Sequence, residues 1–246
     1  MADTNASPGL DPAVAERLRG VSTATLTMAL IKRGVRTSWL RGPAPLDPIA
    51  RRIVGPAFTI RFVPGREDLS VPESYARSPS FRDAIEAAPA GSVVVIDGCG
   101  NPCGATLGDI LVARLARNGV VAAVTDAPVR DADEVRAVGL PVLSAGVAAP
   151  PSIIGLAFAG FGEIIGCGGV AVRPGDVMVC DNDGAVVVPV ELAAEVAEAG
   201  VEQERFERFV QQRVKAGASV LGLYPPGDAA LAAYEAWIAA GEPESG

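Results

Sequence analysis

Three residues combine side-chain type and spacing in a way that could do chemistry. They are Asp109 and, after a gap of twenty residues, the adjacent pair Arg130 and Asp131. A guanidinium is a planar, bidentate donor suited to a carboxylate or phosphate. An aspartate is a hard oxygen ligand for a divalent cation. Asp126 is a second carboxylate in the same stretch able to hold a cation. Ahead of Asp109 runs a loop with Gly98, Gly100, Gly104 and Gly108 that opens into a helix. Free backbone N–H groups at residues 108–111, with the helix dipole, favour an anion there. These parts suit an α-keto acid. Arg130 and the helix N–H groups can bind its carboxylate, and a cation on Asp131 can polarise its carbonyl. Together they stabilise an enolate, the intermediate of retro-aldol cleavage and of β-keto acid decarboxylation. Asp109 is positioned to orient a water or transfer a proton.

The composition removes the usual competitors. The chain has 246 residues and no histidine. Ser-His-Asp and Cys-His catalysis are excluded, as are histidine-ligated zinc and iron sites. Lys32 and Lys215 are the only lysines, hence the only Schiff-base candidates. Cys99, Cys103, Cys167 and Cys180 do not form a C-x-x-C zinc pattern, and no histidine activates a thiol. Net charge is −8 and no Lys/Arg block exists, so nucleic acid is not the expected ligand. No apolar run reaches the roughly 18–20 residues of a spanning helix, and the N-terminus reads as no signal peptide. The expectation is a cytoplasmic protein with no membrane partner.

Weaker motifs fall away on their spacing. The glycine loop lacks Gly-Lys-Ser/Thr, which excludes a P-loop, and Cys103 stands where a dinucleotide fingerprint needs its third glycine. Asp181-Asn182-Asp183-Gly184 opens like a calcium loop, but Leu192 occupies the position of the bidentate glutamate. A hairpin turn is the better reading.

The elements that must position the three residues follow from pattern. Residues 1–10 read as a flexible tail. Asp11-Pro12 starts one helix and Ser22 caps a second that ends at Gly34. Residues 53–63 read as a strand, 64–79 as a polar loop, and Ser80 caps a helix to residue 88. Residues 92–97, 120–125 and 141–144 are short buried strands, alternating with helices at 109–118 and 131–138. That alternation is the signature of parallel βαβ units, and ligands bind beyond the carboxyl ends of such strands. Residues 164–172 and 177–188 are strand-like with turn signals between, an antiparallel portion. Residues 191–215 and 228–240 are helical. They form a C-terminal extension, 191–246, packing on the 11–190 domain or on a neighbouring subunit.

Asp109, twenty residues, then Arg130-Asp131 resembles the D-x20-R-D signature of the class II pyruvate aldolases acting on 4-hydroxy-4-methyl-2-oxoglutarate and 4-carboxy-4-hydroxy-2-oxoadipate. Their superfamily includes the RraA-like regulators of ribonuclease activity. Further similarity lies in Gly55-Pro56-Ala57-Phe58-Thr59-Ile60, Leu107-Gly108-Asp109, Pro141-Val142, Pro174-Gly175-Asp176 and residues 183–189. It spans roughly residues 11–225. The resemblance implies a layered α/β/β/α sandwich of the swivelling-domain type, assembled as homotrimers or hexamers. It implies that Gly108, Asp109, Ile110, Leu111 and Arg130 contact the pyruvyl unit of a 2-oxo acid, that Asp131 ligates Mg²⁺ or Mn²⁺, and that Asp109 acts in proton transfer through water. The implied activity is a metal-dependent lyase cleaving a 4-hydroxy-2-oxo acid to pyruvate, with oxaloacetate decarboxylation as a side activity. Two departures stand out: Met28 where family members often carry aspartate, and residues 64–81, which read as a specificity insert.

Each residue also has a plain reading: Asp131 as a helix cap, Arg130 as a surface arginine, Asp109 as a first-turn acid. The alternative functions are an RraA-like interaction module that inhibits a ribonuclease, and a lyase or hydratase acting on a sugar-derived acid.

Overall fold

The computed structural model describes residues 10–243 other than residue 77. The tail expected at residues 1–10 therefore lies outside them except for Leu10, which packs on the third of the core clusters below.

Local signals form the elements expected of them. Asp11 caps α1 (Pro12–Arg19), accepting from Ala13 N–H at 2.8 Å. Ser22 caps α2 (Thr23–Ile31). Ser80 and Asp83 make a reciprocal capping box at the start of α3 (Phe81–Ala87). Helices α4 (Asp109–Arg117) and α5 (Ala132–Val138) follow strands β3 (Val93–Asp97) and β4 (Ala122–Thr125), and β5 (Val142–Ser144) completes the parallel run. The short β1 (Ala44–Pro45) pairs antiparallel with β5.

The long β2 (Ile53–Pro64) organises the sheet. Its first residues pair antiparallel with β9 (Val177–Asp181), its middle parallel with β3, and its end antiparallel with β6 (Leu156–Phe161). Strand β10 (Gly184–Val188) closes a hairpin with β9, so the order is β1-β5-β4-β3-β2-β9-β10. The Asp181–Gly184 turn is thus a hairpin. One expectation needs correction. Residues 164–172 are not one strand but a separate hairpin, β7 (Ile165–Cys167) and β8 (Val170–Val172). Gly168 and Gly169, both at positive φ, reverse the chain between them.

Period-two alternation sorts strand residues into layers. Val94, Ile96 and Ala123 face a core with Phe81, Ile85, Val112, Leu115 and Val135 of α3, α4 and α5. Val93, Val95, Ala122 and Val124 point the other way, onto Met178, Cys180, Ala185 and Val187. The alternate residues Val177, Val179, Val186 and Val188 meet Leu18, Leu26, Leu30 and Val196. Helix, sheet, sheet and helix are therefore stacked in that order, the α/β/β/α architecture expected.

The first part of α6 (Ala193–Lys215) belongs to that last layer. Its Glu204 accepts from Ser22 N–H at 2.8 Å and from Thr25 Oγ1 at 2.9 Å. Its later part, with Phe206 and Phe209, packs against Tyr234 and Trp237 of α7 (Asp228–Ala239).

Asp176 supplies a test of this core. It is 4% exposed; Oδ2 accepts from Arg173 N–H at 2.8 Å, while Oδ1 has no partner among the described residues. Burial pushes its carboxyl above the usual aspartate range. A raised folded pKa means stability that is present at low pH and lost as pH rises through the raised value. Asp176→Asn is therefore expected to melt higher than the parent at pH 8. The difference should shrink as pH falls to about 4, near the ordinary aspartate pKa. Thermal melts across that range check it, and a constant or inverted difference would refute it.

Candidate active site

The parallel ladder continues past the strand ends. Arg130 N–H donates to Leu107 C=O at 2.9 Å, Thr106 N–H to Pro128 C=O at 3.0 Å, and Val129 N–H to Gly146 C=O at 3.0 Å. Leu107 pairs with Val129, and Val129 with Val147, in parallel bridges. This lacing brings the start of α4 beside residues 130 and 131, although they are more than twenty positions apart. Val112 N–H is the first to close a helical bond, onto Gly108 C=O at 3.1 Å. The N–H groups of residues 109–111 are left over by helix geometry and available to an anion.

Gly108, the N-cap of α4, lets these groups meet. A Cβ built on it would lie 2.7 Å from Asp131 Oδ2 and 3.3 Å from Arg130 Nε. Its φ of −133° and ψ of −179° are open to any residue, so space and not backbone conformation demands glycine. Gly108→Ala is accordingly expected to fold but to displace the Arg130–Asp131 pair. Misplacement on that scale costs about 100-fold in rate. Far-UV circular dichroism beside steady-state kinetics checks it; unchanged turnover would mean that the pair does not act at this spot.

Arg130 Nε donates to Asp131 Oδ2 at 3.1 Å, and its two terminal nitrogens have no partner among the described residues. Asp131 precedes α5 yet makes no capping bond with its side chain. It sits at φ 54°, ψ 47°, a left-handed conformation uncommon outside glycine. Helix capping does not account for it.

The cleft holding these residues has a volume of about 390 Å³. Leu107, Gly108, Asp109, Ile110, Leu111, Arg130 and Asp131 line one side. Of the residues named from the sequence for this site, Gly108, Asp109, Ile110, Leu111, Arg130 and Asp131 are among them, and Asp126 is not. Phe81 and Arg82 of α3, with Pro151 and Ser152, complete the wall. Sequence reasoning missed Arg82, Pro151 and Ser152. The Ser80 cap marked where α3 begins, but no local signal says which cleft a helix start faces.

Among the described residues no group of three Cys, Asp or Glu could cage a metal. The chemistry of the donor set still fits one kind of ion. Mg²⁺ is commonly held by one or two carboxylates with waters completing an octahedron. Asp131, about one-third exposed, presents such a carboxylate to the cleft.

Asp126 does not join it. The reading of Asp126 as a cation holder beside Asp131 is corrected by its bonds. Its carboxylate accepts from Gly98 N–H at 2.7 Å, Gly168 N–H at 3.0 Å and Gly100 N–H at 3.2 Å. It pins the start of the glycine loop to the β7–β8 turn, and it lines a different crevice with Arg41 and Cys99. The loop 98–108 thus serves two crevices. Burial, with Asp97 and Asp126 adjoining, pushes the Cys99 thiol up to about 11. A thiol so protonated at neutral pH is a poor nucleophile. Neither Cys99 nor Cys103 lines the Arg130 cleft. Met28 does not line it either; it lines a groove of about 960 Å³ between α2 and the C-terminal helices.

A layered α/β/β/α protein with an arginine–aspartate pair at a helix N-terminus is the class that fold and cleft define. A family model described as RraA-like, Aldolase/RraA, matches residues 23–187, and the chain belongs to that family. A protein from Halalkalibacterium halodurans named "Putative 4-hydroxy-4-methyl-2-oxoglutarate aldolase" is 33% identical over 141 residues, 56% of this chain and 60% of that protein. Protein DlpA of Legionella pneumophila is 24% identical over 214 residues, 85% of this chain but 33% of its own length. The chain thus spans between one-third and three-fifths of these two relatives. Among solved structures, Streptomyces coelicolor RraAS2, described as an unusual member of the RNase ES inhibitor RraA protein family, superposes with a TM-score of 0.74. It shares 34% identity over 82% of this chain and 98% of its own. No helix among the described residues is long and apolar enough to cross a membrane.

Proposed function

We propose that this chain is a divalent-metal-dependent lyase that cleaves a 4-hydroxy-2-oxo acid to pyruvate, with oxaloacetate decarboxylation as a side activity. The observation that carries the reading is the convergence of Asp109, Arg130 and Asp131 on one cleft, around a glycine that leaves room for no side chain. The aldolase names of several relatives support it.

Asp131 would hold Mg²⁺ or Mn²⁺, which when bound supplies Lewis-acid polarisation of the substrate's 2-oxo group. The remaining steps fall to the chain. The terminal nitrogens of Arg130 hold the C1 carboxylate as a bidentate pair, and the N–H groups of residues 109–111 add dipolar attraction. Removal of the C4 hydroxyl proton, through a water oriented by Asp109, starts cleavage. The oxygen electrons form the new C4 carbonyl, the C3–C4 bond breaks, and its pair is delocalised as the pyruvate enolate. A proton returned through the same water to C3 completes pyruvate. Decarboxylation of oxaloacetate yields the same enolate with carbon dioxide as the leaving fragment, so one site accounts for both activities.

The test is pyruvate release from 4-hydroxy-4-methyl-2-oxoglutarate and from oxaloacetate, with Mg²⁺ and with EDTA. Release that EDTA abolishes and added Mg²⁺ restores is the expected result. Folded protein that releases none under either condition would refute it. A second reading, inhibition of a ribonuclease, is favoured by the likeness to RraAS2. It requires a complex with an RNase E-type partner at micromolar concentration.

A further inference from the structure

Two hydroxyl side chains line the cleft, and one of them is already engaged. Thr106 Oγ1 is hydrogen-bonded to Thr125 Oγ1 at 3.1 Å. Ser152 is 6% exposed, yet its Oγ has no hydrogen-bond partner among the described residues and is not one of the side-chain oxygens sealed from solvent. The opening left to it is the cleft that it lines. A polar group so nearly buried calls for a partner, and in the free protein only cleft water can supply one.

The backbone that carries Ser152 is held on several sides. Ala105 N–H donates to Pro150 C=O at 2.9 Å, Gly155 N–H to Ser152 C=O at 3.1 Å, and Asn101 Nδ2 to Gly155 C=O at 3.0 Å. Residues 152–154 close a turn of 3-10 helix. The hydroxyl is thus positioned before a ligand arrives, which is what makes a donor effective toward charge that develops in a transition state.

Its place relative to Arg130 follows from the ladder. Ala105 forms a parallel bridge with Pro151, and Leu107 one with Val129. The segment 105–107 therefore lies between the two, with Ser152 carried on one flank and Arg130 on the other. Two strand spacings separate the flanking backbones by about 10 Å, a width that a short 2-oxo acid and two side chains span. With its C1 carboxylate on Arg130, such an acid directs its far oxygen at Ser152.

The two reactions of the lyase reading differ at that oxygen. In retro-aldol cleavage the C4 oxygen starts as a neutral hydroxyl and carries negative charge as its proton leaves. In oxaloacetate decarboxylation the C4 oxygens start as a full carboxylate and end in neutral carbon dioxide. A donor aimed there favours the transition state of the first reaction over its ground state, and the ground state of the second over its transition state.

We propose, on the lyase reading, that Ser152 donates its hydroxyl hydrogen to the C4 oxygen of the 4-hydroxy-2-oxo acid and so favours aldol cleavage over decarboxylation. The serine O–H bond stays intact: the C4 proton goes to the water oriented by Asp109, and no bond to Ser152 forms or breaks.

The experiment compares wild type with Ser152→Ala, which removes one oxygen that bonds to nothing else in the fold. Pyruvate release is measured with Mg²⁺ from 4-hydroxy-4-methyl-2-oxoglutarate and from oxaloacetate on the same preparations, beside a thermal melt. Loss of one preorganised donor is expected to lower kcat for 4-hydroxy-4-methyl-2-oxoglutarate about 100-fold. Turnover of oxaloacetate should stay within about threefold of wild type or rise, since its ground state loses at least as much. Oxalate, which resembles the pyruvate enolate and has no C4 oxygen, should inhibit both proteins equally.

A parallel fall with both substrates, weaker oxalate inhibition, or no change with either substrate would overturn the proposal while leaving the lyase reading in place. A wild type that releases pyruvate from neither substrate, or from oxaloacetate alone, would refute the lyase reading and the role of Ser152 with it.

Discussion

Arg130→Ala is expected to lower kcat/KM for pyruvate release roughly 100- to 1,000-fold, the usual effect of losing one preorganised charged donor. The loss should fall on every substrate alike, because every candidate substrate carries the C1 carboxylate that Arg130 would bind. Stability should change little. Arg130 is partly exposed, and its ion pair with Asp131 is a surface pair, of a kind that contributes about 0–1 kcal/mol. Kinetics on oxaloacetate and 4-hydroxy-4-methyl-2-oxoglutarate, beside a thermal melt, separate the two outcomes. Near-normal rates with either substrate would remove Arg130 from the chemistry.

The second large effect is expected at Asp131, and the choice of variant matters. The residue stands at φ 54°, where alanine is strained by roughly 1–2 kcal/mol while asparagine is tolerated. Asp131→Asn keeps the shape and an oxygen that can accept from Arg130 Nε. It removes the charge that a divalent ion requires. Turnover should fall about 1,000-fold, equivalent to several kcal/mol of Lewis-acid stabilisation. The melting temperature should stay close to the parent's. The check is turnover as a function of Mg²⁺ concentration: the parent saturates, and the variant stays near baseline across the range. A variant that keeps metal-dependent release would locate the ion on another residue.

The strained backbone at Asp131 fits a residue retained for what its carboxylate does. Left-handed non-glycine residues carry an energetic cost and cluster at functional sites. Here the side chain makes no cap bond that would offset it.

Much of the fold is legible in the sequence. The β-branched run at residues 92–97 reads as a buried strand, and all five residues of β3 are buried. Capping residues Asp11, Ser22 and Ser80 begin helices where their side chains accept backbone N–H groups. Those signals are local and physical, so they survive without tertiary information. The hairpin break at Gly168-Gly169 was missed because an apolar run of that length does not reveal where it turns. Asp126 was misjudged for a related reason. A carboxylate next to a candidate site in sequence is read as part of it, yet its direction depends on which loop supplies amides. That loop is some forty residues away, at Gly168.

The sequence by itself determined the chemistry open to this protein. Without histidine and with two lysines, it left carboxylates, arginine, backbone amides and a hard cation, and the spacing of Asp109, Arg130 and Asp131 on βαβ units pointed to one end of a parallel sheet. Only the tertiary structure decided which walls enclose that end. Sheet order brings the segment before β6, and α3, beside the cleft through pairings across about a hundred residues of β2–β6 separation. Such contacts depend on the side chains buried between layers, and no periodicity within either segment encodes them. Arg82, Phe81, Pro151 and Ser152 reach the cleft by that route, while Asp126 is turned away from it.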